Sequence, residues 1–254
     1  MIDSCAFSHR ISQASRIKRS RIILALDLAN GSDLNQLALS TISLLEKYIC
    51  AIKLNFHLIL PLSSSELSKL NRHVHSYGLQ SVADIKLNDV PSTNKIAISY
   101  LSSMGFDAIT VNPFIGTAGL RAAIEQAHEL KFGVLVLVYM SHIGAHLGYG
   151  INLLGSNSQV TQLYQKFFQD AIACRADGVI VGANRLEILR EISCKKDHIP
   201  IYSPGVGVQG GNMKQAANNG TDYFIIGRSI IGSKDPLKTA KALRQQFLHL
   251  SVDS

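Results

Sequence analysis

The chain reads as an α/β protein, a single-domain (β/α)8 TIM barrel. Three observations predict this. Apolar strand-like runs recur about every 25–30 residues, each followed by a helical pattern. No linker or low-complexity tract divides them. The length of 254 residues, 46% of them hydrophobic, suits one large core of this kind.

The eight runs are Ile22–Leu26, Ile49–Leu54, Ser81–Ile85, Ala108–Val111, Gly133–Val138, Gly178–Val181, Pro200–Ser203 and Tyr223–Ile226. They are nearly continuous in apolar residues, as parallel strands covered on both faces must be. Helix punctuation separates them. Asp33 is placed to cap a helix running to about Tyr48, and Ser63-Ser-Ser-Glu66 has the spacing of a capping box. Gly78, Gly105 and Gly220 stand where left-handed stops are wanted. Asp235-Pro236 puts a cap residue before a proline at the first helical position. A doubly wound open sheet is the alternative, but eight evenly spaced units without a second domain favour closure.

Composition narrows the classes of function. No apolar run reaches the ~18 residues of a membrane helix, and Gly133–Met140 suits a buried strand. Cys5, Cys50, Cys174 and Cys194 are scattered without a CxxC pair, so neither a zinc site nor a disulfide framework is expected, and a cytoplasmic location is. The net charge of +7 fits a nucleic-acid partner or a small anionic substrate. Much of the excess lies in a basic extension, residues 1–20. Arg10, Arg16, Lys18, Arg19 and the adjoining Arg21 face one acid, Asp3. Being rich in Ser and Arg, this segment superficially resembles a transit peptide, and it also suits a nucleic-acid arm. The expectation is a frayed extension ahead of a catalytic domain over 21–254. The basic residues lack interleaved aromatics, so a nucleic-acid partner is not expected.

In barrels of this type the site lies at the C-terminal ends of the strands. Asp27, Lys53, the pair Asp84 and Lys86, Ser141, Pro204-Gly-Val-Gly and Gly227-Arg228-Ser229 all fall there. The segment Asp84-Ile-Lys-Leu-Asn-Asp89-Val-Pro-Ser-Thr93 is the most informative. Side chains on a strand alternate faces, so Asp84 and Lys86 share one, and Asp89 follows in the loop. Unpaired buried charge is costly, so alternating charges at a strand end build a site rather than a core. Lys53, Asp84, Lys86 and Asp89 can each stay ionised beside an opposite charge.

Gly205-Val-Gly-Val-Gln-Gly210 formally matches GxGxxG, but it follows the seventh strand rather than the first. The better reading is a loop whose amides grip a phosphate, in the recurrent barrel position after strands seven and eight. Gln209 adds a side-chain donor and Arg228 a charge-assisted contact. His73, His75, His142 and His146 show no metal-ligand pattern, and Gly144–Gly150 reads as a mobile rim loop.

These motifs resemble orotidine 5′-phosphate decarboxylases over about residues 21–248. The DxKxxD-(I/V)-x-x-T signature at Asp84–Thr93 carries the resemblance, with Val90 where the family often has isoleucine. Leu26-Asp27, Ile52-Lys53, Met140-Ser141-His142, Ser203–Gly211 and Gly227-Arg228-Ser229 reinforce it. The resemblance implies decarboxylation of orotidine 5′-phosphate to UMP, with no cofactor and no metal. It assigns Asp27 and Lys53 to the ribose hydroxyls, Asp84 to the side of the substrate carboxylate, and Lys86 to protonation of C6. It implies a homodimer in which Asp89 and Thr93 reach the neighbouring site. Ser141 would meet the pyrimidine edge. Gln209, Arg228, Gly227 and the backbone around Pro204, Val206 and Gly210 would bind phosphate. Metal-using sugar-phosphate decarboxylases and synthases share the DxKxxD strand but carry an acid where Lys53 stands.

Overall fold

The computed structural model describes residues 6–29, 31, 33–154, 160–195 and 199–250. Its strands are β1 (Ile22–Ala25), β2 (Ala51–Asn55), β3 (Gln80–Leu87), β4 (Ala108–Val111), β5 (Gly133–Tyr139), β6 (Asn152–Leu154), β7 (Val160–Gln162), β8 (Gly178–Val181), β9 (Ile201–Pro204) and β10 (Tyr223–Ile226). Eight of them close in the order β1-β10-β9-β8-β5-β4-β3-β2, every neighbour parallel. The expected barrel is therefore present. β1, β4, β5, β8 and β10 are buried at every position, which accounts for their unbroken apolar sequence.

The expected caps form. Asp33 Oδ1 accepts the amide of Gln36 at the head of helix Leu34–Leu45. Ser63 and Glu66 exchange the two bonds of a capping box at helix Ser64–Ser76. Asp235 accepts the amide of Lys238 at helix Pro236–Leu250.

At the N-terminal end of the barrel one device occurs three times. Asp107, Asp177 and Asp222 each stand just before a strand, and each accepts a backbone amide from the first or second residue of the neighbouring strand. Asp107 takes Ser81 N–H at 2.8 Å, Asp177 takes Val134 N–H at 2.9 Å, and Asp222 takes Ile201 N–H at 2.8 Å. Otherwise these buried donors would lack a partner.

Two expectations need correction here. The basic extension is not frayed over its described part. Phe7–Lys18 is a helix that buries Phe7, Ile11 and Ala14 against the barrel floor. These apolar residues recur at helical spacing, a stripe that the high charge count obscured. Gly133 permits the contact, because a Cβ there would lie 2.5 Å from the Phe7 ring. Arg10 ties the helix to Gln80, Asp107 and the carbonyl of Lys131. Residues 1–5 lie outside the described residues. Secondly, the Gly144–Gly150 stretch is not an irregular loop. It holds the end of a 3-10 turn, Ile143–Ala145, and a short helix, His146–Tyr149, with Ala145 and Tyr149 buried. The unanticipated antiparallel hairpin β6–β7 follows it.

Candidate active site

A cavity of about 290 Å3 opens at the C-terminal mouth of the barrel. Asp27, Lys53, Asp84, Lys86, Ser141, Pro204, Val206, Gln209, Gly227 and Arg228 all line it. Gly210 turns the loop behind this wall, and Asp89 and Thr93 lie outside the lining on an exposed segment. A wider hollow at the opposite end, about 640 Å3, lies under the N-terminal helix and contains the His128–Asp177 pair but no glycine cradle.

The charged side chains form a chain of alternating sign. Lys53 Nζ is 2.6 Å from Asp84 Oδ2 and 3.9 Å from Asp27 Oδ1. Lys86 Nζ is 2.8 Å from Asp84 Oδ1. Burial pushes the Asp84 carboxyl upward, but the ammonium groups of Lys53 and Lys86 outweigh it and hold Asp84 well below the usual carboxylate range. Lys86 remains partly open to solvent and spends one of its three donors on Asp84, so the ammonium is presented to the cavity. Asp89 does not join this array within one chain. Its carboxylate accepts the amide of Val90, and its carbonyl accepts Asn94 Nδ2.

Simple strand alternation does not produce the Asp84–Lys86 contact. β3 pairs with β4 at Ala83↔Ile109 and next at Leu87↔Val111, so Asp84, Ile85 and Lys86 stand against Thr110 alone. In this bulge Lys86 takes a left-handed backbone, φ +48°. Such a conformation costs on the order of 1–3 kcal/mol in a residue with a Cβ and persists only where its surroundings hold it.

The glycine-rich loop after β9 is tightly folded. Gly205, Gly207 and Gly210 all have positive φ, at 97°, 81° and 83°. Gly207 N–H donates to Gly211 O at 2.8 Å, and Gly211 N–H donates to Gly205 O at 3.0 Å. A Cβ on Gly207 would lie 2.3 Å from Ser229 Oγ, so only glycine fits there without displacement. Ser229 Oγ donates to Val206 O, and Ser141 Oγ donates to Gln209 Oε1 at 2.8 Å, pinning the loop from two sides. Among the described residues Arg228 forms no ion pair, which leaves an unneutralised cation beside the cradle.

Sequence reasoning missed three side chains. Asn55 donates to Asp27 Oδ1 at 2.8 Å, and its place two residues after Lys53 on one strand was a usable signal. Asn184 Nδ2 donates to the carbonyls of Ser141 and Gln209 at 2.9 and 3.3 Å. Thr110 Oγ1 donates to Asp84 Oδ1 at 2.9 Å. Neither Asn184 nor Thr110 stands within a recognisable motif.

Closed barrel, alternating charges and glycine cradle together define a β/α-barrel enzyme whose C-terminal mouth sets a charged array opposite a glycine-rich loop. Comparison with known proteins sharpens this class. The model of the orotidine 5′-phosphate decarboxylase / HUMPS family matches residues 20–243, and the chain belongs to that family. The orotidine 5′-phosphate decarboxylase of Pyrococcus abyssi is 33% identical over 227 residues, covering 89% of this chain and 98% of its own. The crystal structure of orotidine 5′-phosphate decarboxylase from Pyrococcus horikoshii superposes with a TM-score of 0.71 at 32% identity, covering 89% of this chain and 98% of that one. Orotidine 5′-monophosphate decarboxylase from Methanocaldococcus jannaschii, complexed with the inhibitor BMP, gives a TM-score of 0.77 at 26% identity, covering 90% and 98%.

Proposed function

We propose that the protein converts orotidine 5′-phosphate to UMP without a cofactor, with Lys86 protonating C6. The observation that carries this is the placement of the Lys86 ammonium, 2.8 Å from a buried Asp84 carboxylate, at a mouth whose other wall is the glycine cradle.

The C6–carboxylate bond breaks, CO2 departs, and the electron pair remains on C6. Lys86 stabilises that developing charge and then transfers a proton to it, regaining one from water. The charge is met by a group already in place, so little reorganisation is needed. Asp84, held ionised by two lysines, stands beside the substrate carboxylate and disfavours the bound ground state. Asp27 and Lys53 take the ribose hydroxyls, and Ser141 the pyrimidine edge. Gln209, Arg228, Gly227 and the Pro204–Gly211 backbone, including Val206 and Gly210, take the phosphate. Binding energy from that remote group can be spent on ordering the reacting end. The barrier to be removed is on the order of 20 kcal/mol, which no single side chain supplies.

The functional unit of this reading is a homodimer. Asp89 and Thr93 are exposed in the single chain, and so are Val90, Ile96 and Tyr100 on the same segment. A partner covering these apolar residues would bring Asp89 and Thr93 to its own site. The reading is cytoplasmic, in keeping with the unpaired thiols of Cys50, Cys174 and Cys194. Among the described residues no helix is long and apolar enough to cross a membrane.

The test is the loss of orotidine 5′-phosphate absorbance, with and without EDTA, for wild type and Lys86→Ala. Turnover that resists EDTA and disappears in the variant supports the reading. Turnover abolished by EDTA would move the protein to the metal-using sugar-phosphate branch. Mixing Lys86→Ala with Asp89→Asn chains should restore part of the activity through hybrid dimers, and no restoration would count against the shared site.

A further inference from the structure

We infer that Thr110 is a positioning residue of this reaction: one buried hydroxyl sets both the carboxylate of Asp84 and the backbone of Lys86. The inference rests on the function proposed above and adds a residue that its chemistry does not name.

Thr110 lies in β4, in the sequence Ala-Ile-Thr-Val, and is fully buried. Taken alone, a threonine there needs no explanation beyond its fit to a strand. Its hydrogen bonds give the explanation. Thr110 Oγ1 accepts the backbone amide of Lys86 at 2.9 Å and donates to Asp84 Oδ1 at 2.9 Å. Both partners belong to the bulged part of β3, where three residues face this one threonine. The bulge withdraws Lys86 from the regular ladder, so its amide needs another acceptor. The hydroxyl is that acceptor, and because it accepts there, its own proton is directed to Asp84.

Two consequences follow for the reacting groups. Lys86 is left-handed at φ +48°, and the hydroxyl anchors the backbone that carries its side chain. Asp84 Oδ1 receives Thr110 and Lys86 together while Oδ2 receives Lys53, so the plane of the carboxylate is set by three donors. Valine keeps the shape of threonine and removes both bonds. Serine keeps the hydroxyl. Thr110 does not line the cavity, so substrate contact is not its role.

The experiment compares wild type, Thr110→Val and Thr110→Ser in steady-state kinetics with orotidine 5′-phosphate and in UMP binding by calorimetry. Misplacing a reacting group slightly costs about 10²-fold, so kcat of Thr110→Val should fall by roughly that factor. KM and the UMP dissociation constant should stay within about threefold, the signature of a group acting only on the chemical step. Thr110→Ser should recover most of kcat. A Thr110→Val enzyme with wild-type kcat, or a Thr110→Ser enzyme as slow as Thr110→Val, overturns the inference. If Thr110→Val does not fold, Thr110→Ser against Thr110→Ala gives the same contrast of a hydroxyl with none. A wild-type protein inert toward orotidine 5′-phosphate overturns the functional reading and this inference together. An active wild type with an equally active Thr110→Val overturns this inference alone.

Discussion

Lys53 holds its ammonium 2.6 Å from Asp84 Oδ2, with both side chains at least nine-tenths buried. Two buried ions are tolerated because each satisfies the other, and removal of one strands its partner. Lys53→Met should therefore destabilise the protein by about 3 kcal/mol, the lower end for a broken buried pair because Lys86 still faces Asp84. Urea denaturation of the variant checks this, and a midpoint equal to wild type would show that the pair adds nothing to stability.

Lys86→Ala removes the proposed proton donor and the cation facing C6 in one change. Turnover should drop by at least about 10⁴-fold, combining the losses typical of proton transfer and of electrostatic stabilisation. UMP should still bind, because the loop proposed to hold its phosphate is built from other residues. Single-turnover kinetics beside UMP titration separates the two effects.

Gly207→Ala tests the cradle. A methyl group there meets Ser229 Oγ, and alanine is strained at φ +81°. We expect kcat/KM for orotidine 5′-phosphate to fall by about 10²-fold or more, since remote binding energy supports the chemical step. Whatever turnover the protein shows with dephosphorylated orotidine should be unchanged. An equal loss for both substrates would mean that the loop does not read the phosphate.

Phe7→Ala tests the N-terminal helix. Phe7 is 1% exposed and fills the space that Gly133 leaves open, so truncation should cost about 3–5 kcal/mol. The mouth lies at the other end of the barrel, so kcat of the folded enzyme should not change. Thermal melting and kinetics on one preparation give both numbers.

Stability should also fall as the solution becomes more alkaline. Hydrogen bonds to Asp107 and Asp177 raise the imidazoles of His75 and His128 above their ordinary value. The unfolded value is near 6.5, so the stabilisation is complete below that pH and is lost as pH rises through the higher folded values. Both rings are roughly two-fifths exposed (39% and 43%), so solvent screening keeps the effect small. Melting temperature measured across this range should decline in wild type and decline less in the His75→Gln, His128→Gln double variant. Parallel curves would remove the two pairs as the cause.

The barrel was legible because its signals are local. Buried parallel strands must be apolar throughout, and the caps at Asp33, Ser63 and Asp235 are short-range hydrogen bonds written in adjacent residues. The N-terminal helix was misjudged for the opposite reason. Phe7, Ile11 and Ala14 have helical spacing, but the surface that receives them is made by β5 and its neighbours, far away in sequence. The hairpin β6–β7 went unread although Gly155-Ser-Asn-Ser158 between its strands is a turn-type cluster, because strands of three residues are too short to show alternation.

Which residue types crowd the mouth was determined by sequence alone: strand ends carry charge there because a core could not hold it unpaired. How they act on one another was decided only by the closed barrel. Whether Lys86 reaches Asp84 depends on a bulge against Thr110, and Thr110 belongs to another strand 24 residues away along the chain. Hydrogen bonds of that kind depend on register between strands, and a strand buried on both faces, as β4 is, has no alternation of apolar and polar residues to single one register out.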